Sequence, residues 1–229
     1  MKEIGHIAFI CDGNGRWAKS KSHERTYGHS VGSEVVKNIA IYIKKSYKVK
    51  KLSFYIFSTE NWKRPKVEVA YIIKMIDVKL KKWHKLFIKE NVRLKFIGSR
   101  EGLSKSLLKI FEKYELLTKD CDGMVLNLCF NYGGRTEIID ATKKIISDNI
   151  DSEQINEELF KEYLYEPDDV DLLIRTSGEK RISNYLLWQL AYSELVFIDY
   201  YWPEMNNKLF DKAIEEYNSR NRRYGGLKI

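Results

Sequence analysis

Apolar residues along the chain follow two rhythms. Short runs at 7–11, 52–57, 93–97, 124–130, 170–174 and 195–198 read as strands, and those apolar without a break read as strands buried on both faces. Between them apolar residues recur every three or four positions. This spacing predicts helices over 30–47 (Val31, Val35, Ile39, Tyr42), 67–90, 104–117, 136–147, 153–164, 183–191 and 207–222. In 67–90 the stripe is Val69, Ile73, Ile76, Leu80, Trp83 and Phe87, with lysines Lys74, Lys81 and Lys85 on the other face. The stripe reads as ordinary core. Alternating strands and helices predict an α/β fold with a six-stranded, mostly parallel central sheet flanked by helices. With no Gly/Ser-rich linker and three prolines, residues 1–229 read as one domain.

Four strands run into polar loops: Asp12-Gly-Asn-Gly-Arg16, the segment 58–64, the segment 131–135 and the segment 175–181. Parallel strands deliver such loops to one edge of the sheet, where ligands of open α/β folds bind. Gly13 and Gly15 let backbone N–H groups face an anion, and Arg16 adds a phosphate-shaped fork. A carboxylate among phosphate donors makes sense when a divalent cation bridges them. Taken alone, 12–17 also fits a plain strand–turn–helix connection. The other loops add Arg25, His29, Arg64, Arg175, Arg181 and Ser183, enough for two polyanionic groups, with Arg222 and Arg223 in the tail. The aspartates at 168, 169 and 171 read as a charged strand entry.

A net charge of +8 favours anionic partners. No Walker loop, full dinucleotide fingerprint or nucleic-acid recognition motif is present, so nucleic acid is not an expected partner. Cys11, Cys121 and Cys129 lack zinc or CxxC spacing. With no signal-like or membrane-length apolar stretch, the expected location is the cytoplasm, with the inner membrane face as a peripheral site.

The motifs resemble those of the cis-prenyltransferases, most of all the bacterial undecaprenyl diphosphate synthases. They are Asp12-Gly-Asn-Gly-Arg-Trp-Ala18, Arg25-Thr-Tyr-Gly-His29, Phe57-Ser-Thr-Glu-Asn-Trp-Lys-Arg-Pro65 with Glu68, Asn131-Tyr-Gly-Gly-Arg135, and 175–194 ending at Glu194. The resemblance spans 5–226. It implies a homodimer with an apolar tunnel that uses Mg²⁺ to condense isopentenyl diphosphate onto farnesyl diphosphate, forming cis double bonds, with membrane contact at product release. Carried over by motif, Asp12 handles Mg²⁺ and diphosphate, and Glu194 helps bind Mg²⁺. Gly13, Asn14, Gly15, Arg16, Arg25, His29 and Arg64 hold the allylic diphosphate, with Trp17 beside them. Ser58, Thr59, Glu60, Asn61, Trp62 and Glu68 belong to the segment over the substrate, Asn61 being catalytic with Asp12. Arg175, Arg181 and Ser183 hold isopentenyl diphosphate, and Arg223 completes the partner subunit's site. The resemblance leaves Asp12, a diphosphate oxygen and a water as proton acceptors. Lys180, Ser177 and Ile56 depart from the usual bacterial residues; Ile56 narrows the expected tunnel, whose wall the resemblance would build in part from the 67–90 stripe, including Ile76 and Leu80, with Ile39 and Tyr42.

Overall fold

The computed structural model describes residues 4–220. In chain order the strands are β1 (His6–Ile10), β2 (Lys51–Ser58), β3 (Val92–Ile97), β4 (Met124–Tyr132), β5 (Leu172–Arg175) and β6 (Glu194–Phe197). The α-helices are α1 (Asn14–Ser20), α2 (Arg25–Ser46), α3 (Lys66–Lys89), α4 (Lys105–Leu117), α5 (Gly134–Ser147), α6 (Glu157–Tyr163) and α7 (Asn207–Ser219). The strands form one sheet in the order β3-β4-β2-β1-β5-β6, and every pairing is parallel.

Chain order reverses beside β1. The chain leaves β1 to build β2 on one side and returns later to lay β5 on the other. Such a switch opens a crevice beyond the strand ends, and here the loops after β1 and β5 flank it. One face of the sheet carries a core of Phe9, Phe54, Trp202 and Phe210 with apolar residues of α2, α3, α4 and α7. Phe9 stacks on Phe54 at 4.7 Å, and Trp202 meets both edge-on at 5.9 Å. The other face is covered by Tyr185, Leu186 and Leu190 packed on Ala8, Ile10 and Cys129.

Two local expectations are overturned. Residues 14–20, read as part of a loop, form α1, and α2 starts at Arg25 rather than 30. A left-handed Gly13, φ 92°, turns the chain directly from β1 into α1. Conversely, 183–191 is a series of turns rather than a helix. Ser183, Asn184 and Leu186 hold positive φ, which no helix accommodates. The Asn184 Oδ1 accepts from Arg135 N at 2.9 Å and its Nδ2 donates to Glu60 at 3.0 Å. Tertiary bonds thus override the apolar spacing of Leu186, Leu187 and Leu190. The aspartates at the β5 entry are structural: Asp168 pairs with Lys51, and Asp171 accepts from the Gly5 and His6 N–H groups at 2.8 and 3.1 Å. No helix among the described residues is long and apolar enough to cross a membrane.

Candidate active site

Asp12 follows β1 and faces Arg175, the last residue of β5. The Arg175 guanidinium, 3% exposed, donates from Nη2 to Asp12 Oδ2 at 2.8 Å. It donates from Nη1 to Ser183 Oγ at 2.8 Å and also to the Arg181 carbonyl. The other Asp12 oxygen accepts from Gly13 N at 2.6 Å and lies 3.2 Å from Arg16. Burial alone would raise the Asp12 pKa, but the Arg175 hydrogen bond and charge, Gly13 N–H and Arg16 hold it below the ordinary carboxylate value. Asp12 is therefore an ionised carboxylate at neutral pH.

Gly13 permits this approach for a second reason: a Cβ there would fall 2.1 Å from Ser177 Oγ. Gly32 of α2 does the same for Asn14, whose Oδ1 would lie 2.0 Å from an added Cβ. That oxygen is buried and has no protein partner. The Asn14 Nδ2 donates to the Cys11 carbonyl at 2.9 Å.

A second group gathers around Glu68, 7% exposed in the first turn of α3. Its carboxylate accepts from Arg25 Nε at 3.2 Å, His29 Nε2 at 3.1 Å and Arg64 Nη1 at 3.2 Å. Burial pushes the Glu68 pKa up, but Arg25 and His29 outweigh it and bring it below its ordinary value. Burial lowers His29 against the opposing pull of Glu68. Glu179 plays a similar part on the other side, pairing with Arg16 at 2.8 Å and with Arg181 at 2.5 Å. Two carboxylates thus occupy the cationic arms where an anionic ligand would bind.

A cavity of about 580 Å³ runs from Asp12 and Arg175 to His29 and Arg64, while Arg16, Arg25, Glu68, Glu179 and Arg181 stand outside its lining. Asp12, Asn14, His29, Ser58, Glu60, Asn61, Arg64, Arg175 and Ser183 line its polar end, and Val36, Ile56, Ile72 and Met75 its apolar wall. Tyr55 and Ile56, neighbours in β2, both face it because the β2–β4 register breaks there. A polar end that binds anions and an apolar wall suit an amphiphile with a phosphorylated head.

Residues 10–225 match the prenyltransferase family model for undecaprenyl diphosphate synthase. The chain belongs to that family. Among prenyltransferase relatives, an isoprenyl transferase of Fusobacterium nucleatum is 47% identical over 97% of this chain and 96% of its own. The ditrans,polycis-undecaprenyl-diphosphate synthase ((2E,6E)-farnesyl-diphosphate specific) of Buchnera aphidicola is 44% identical over 100% of this chain and 94% of its own. A crystal structure of a probable undecaprenyl diphosphate synthase from Campylobacter jejuni superposes with a TM-score of 0.83 at 35% identity, covering 98% of this chain and all of the other.

The family motifs do not all converge. Thr59 sits against Gly133, and Trp62 donates to Asn131 Oδ1 at 2.7 Å, which fastens the 3₁₀ turn Thr59–Lys63 to the end of β4. Trp17 stacks on Tyr27 at 5.9 Å, outside the cavity lining. Glu194 is not brought to the cavity within one protomer. It begins β6, where it pairs in register with Leu172, while Leu172 pairs with Ile7. Asp12 lies five positions beyond Ile7, roughly 16 Å along the strand direction. Within one protomer Glu194 therefore stands at the opposite edge of the sheet, 2.9 Å from Arg220. No cluster of three or more metal-ligating His, Cys, Asp or Glu side chains occurs among the described residues. Arg222 and Arg223 lie outside the described residues. The apolar wall also differs from expectation: Ile72 and Met75 line it, whereas Ile76 and Leu80 are buried in the core. Sequence reasoning missed Glu179, whose position between two arginines carries no local signal.

Proposed function

We propose that the chain is a Mg²⁺-dependent cis-prenyltransferase that condenses isopentenyl diphosphate onto farnesyl diphosphate. The product is a long-chain, undecaprenyl-type diphosphate serving cell-wall lipid carrier synthesis. The observation that carries this reading is one cavity in which two cationic groups flank Asp12 and an apolar wall continues from them. Gly13, Asn14, Gly15, Arg16, Arg25, His29 and Arg64 hold the allylic diphosphate. Arg175, Arg181 and Ser183 hold isopentenyl diphosphate. The 3₁₀ turn with Asn61 and Trp62 covers the reacting ends.

The donor set fits Mg²⁺: one ionised carboxylate facing the cavity, which together with substrate phosphates is the usual environment of that ion. Bound there, Mg²⁺ would neutralise charge on the departing diphosphate. The arginines do the same through fixed donors and place the isopentenyl double bond against the allylic carbon. Arg175 holds the Asp12 carboxylate in one orientation through Nη2 while bonding Ser183 through Nη1. The apolar wall retains the growing chain at roughly 0.8 kcal/mol per buried CH₂. The active form is a homodimer.

The test supplies purified protein with farnesyl diphosphate, labelled isopentenyl diphosphate and Mg²⁺, and sizes the products by chromatography. Mg²⁺-dependent polyprenyl product is expected; its absence would sink the reading.

A further inference from the structure

We propose that the outer face of α3 is a docking surface for an anionic phospholipid bilayer. The charge argument stands without any assumption about catalysis; only its link to the product rests on the function proposed above.

Six exposed lysines lie along α3: Lys66, Lys74, Lys81, Lys82, Lys85 and Lys89. At about 100° per residue they fall, with the exposed apolar residues, within roughly 160° of arc. The one carboxylate within that arc, Asp77, is half-buried and accepts from the Tyr114 hydroxyl at 3.2 Å. The two acids of the helix are the buried Glu68 and the half-buried Asp77. Among the described residues none of the six lysines has a carboxylate partner, whereas the border residue Lys79 pairs with Glu34 at 2.7 Å. Two other helices mix their signs: Glu112 stands between Lys109 and Lys113 on α4, and Glu215 and Glu216 follow Lys212 on α7. α2 and α5 also lack an exposed carboxylate, but they carry only two and three exposed cations, so the long basic run sets α3 apart.

Apolar side chains interleave with the lysines. Val67 is 80% exposed, Val78 44%, Ile88 42% and Tyr71 36%. A helix that combines lysines and exposed aliphatic groups on one face suits the interface of an anionic bilayer, where the cations meet headgroups and the apolar groups enter the acyl boundary. A nucleic acid would meet the same lysines but has no use for Val67, Val78 and Ile88, since its affinity comes from phosphate contacts. The location adds a consequence. Met75, at the border of this face, lines the cavity wall, so a bilayer on α3 would lie next to the apolar part of the site.

The experiment is vesicle co-sedimentation of the full chain at 0.15 M salt. Vesicles of phosphatidylglycerol and phosphatidylcholine are compared with phosphatidylcholine alone. Binding to the first and not the second is expected. Each lysine at an anionic surface is worth roughly five-fold, so K74E/K81E/K85E should weaken binding by more than about 100-fold. The charge-matched K143E/K144E/K212E should retain most of it. V67S/V78S/I88S should bind at low salt but lose the salt-resistant fraction.

Equal binding to neutral vesicles, or equal loss in the charge-matched variant, would overturn the proposal. So would unchanged salt resistance in the serine variant, or binding of a single-stranded RNA through the same lysines without vesicle binding. Prenyl transfer measured in detergent separates the two readings. Vesicle binding without transfer would refute the proposed activity and leave this surface standing; transfer without vesicle binding would do the reverse.

Discussion

At the scale of single residues, the site consists of carboxylates and guanidiniums held in advance of any ligand. Asp12 is fixed by Arg175, Gly13 and Arg16. If Asp12 orders charge around a leaving group, as proposed, Asp12→Ala should lower kcat on the order of 10²–10³-fold. Substrate affinity measured by calorimetry should fall far less, and equal losses would reduce Asp12 to a docking residue. Glu68 makes a different prediction. Its carboxylate stands among Arg25, His29 and Arg64 as a surrogate anion. Glu68→Ala leaves those groups facing one another without a counter-charge. It should cost on the order of 2 kcal/mol, below the usual penalty for breaking a buried pair because Arg25 and Arg64 are partly solvated. Inorganic pyrophosphate should then raise the Tm of the variant more than that of the wild type, which thermal melts with and without the ligand would show. An equal rise in both would mean that Glu68 does not occupy the anion's place.

At the scale of elements, the entries of β1, β2 and β4 are tied by a buried polar chain that plays no part in the site. His6 Nδ1 donates to the Asp169 carbonyl at 3.2 Å, Ser53 Oγ meets His6 Nε2 at 2.7 Å, and Asn127 donates to Ser53 at 3.0 Å. These partners suit a neutral imidazole protonated on Nδ1. Burial lowers the His6 pKa, with Glu166 pulling it up and Lys51 pushing it down. The unfolded chain therefore takes up a proton near pH 6.5 that the folded chain accepts only at lower pH. Stability is full above about pH 6.5 and declines as pH falls below it. Melting curves between pH 7.5 and 5.5 should show that decline, at about 2–4 °C per kcal/mol for a chain of this size. His6→Gln should flatten the slope, leaving the contribution of His29, whose pKa is also lowered. An unaltered slope would clear His6 of the effect. A second prediction concerns α3 and β2, which form the apolar wall. Met75→Trp should shorten the product and Ile56→Ala lengthen it, as read by chromatography. Unchanged chain lengths would place the tunnel elsewhere. The strands and the long helices α3 and α4 were legible because buried parallel strands and amphipathic helices each leave a local period. The turns at 183–191 were not, because Asn184 is held by Arg135 and Glu60, residues far away in the chain. For the same reason the motifs named Asp12, Arg175 and the arginines around Glu68 as candidates, but nothing local announced that Glu68 and Glu179 would sit between them.

At the scale of the whole molecule, the sheet register raises a question that one protomer does not answer. The family resemblance assigns both Asp12 and Glu194 to Mg²⁺, yet parallel pairing through β1, β5 and β6 separates them by roughly 16 Å and places Glu194 at the start of an edge strand. Strand register is rigid, since a slip of one residue would turn every buried side chain of β5 to the wrong face. Loop motion after β1 does not bring Asp12 back along the strand to the other edge. If Glu194 serves the metal, the site it serves belongs to the partner of a symmetric dimer. Mixed dimers decide the matter. Asp12→Ala and Glu194→Gln homodimers should each be inactive. A mixed dimer carries one doubly impaired site and one site with an intact Asp12 from one chain and an intact Glu194 from the other. Co-expressing the two variants with different affinity tags and isolating the mixed species should recover up to about half of the wild-type turnover. If Glu194 acts within its own chain, every site in the mixed dimer carries a lesion and nothing is recovered. If Glu194 only anchors Arg220 at 2.9 Å, the Glu194→Gln homodimer keeps its activity and loses stability instead, which the same preparations reveal by their melting temperatures.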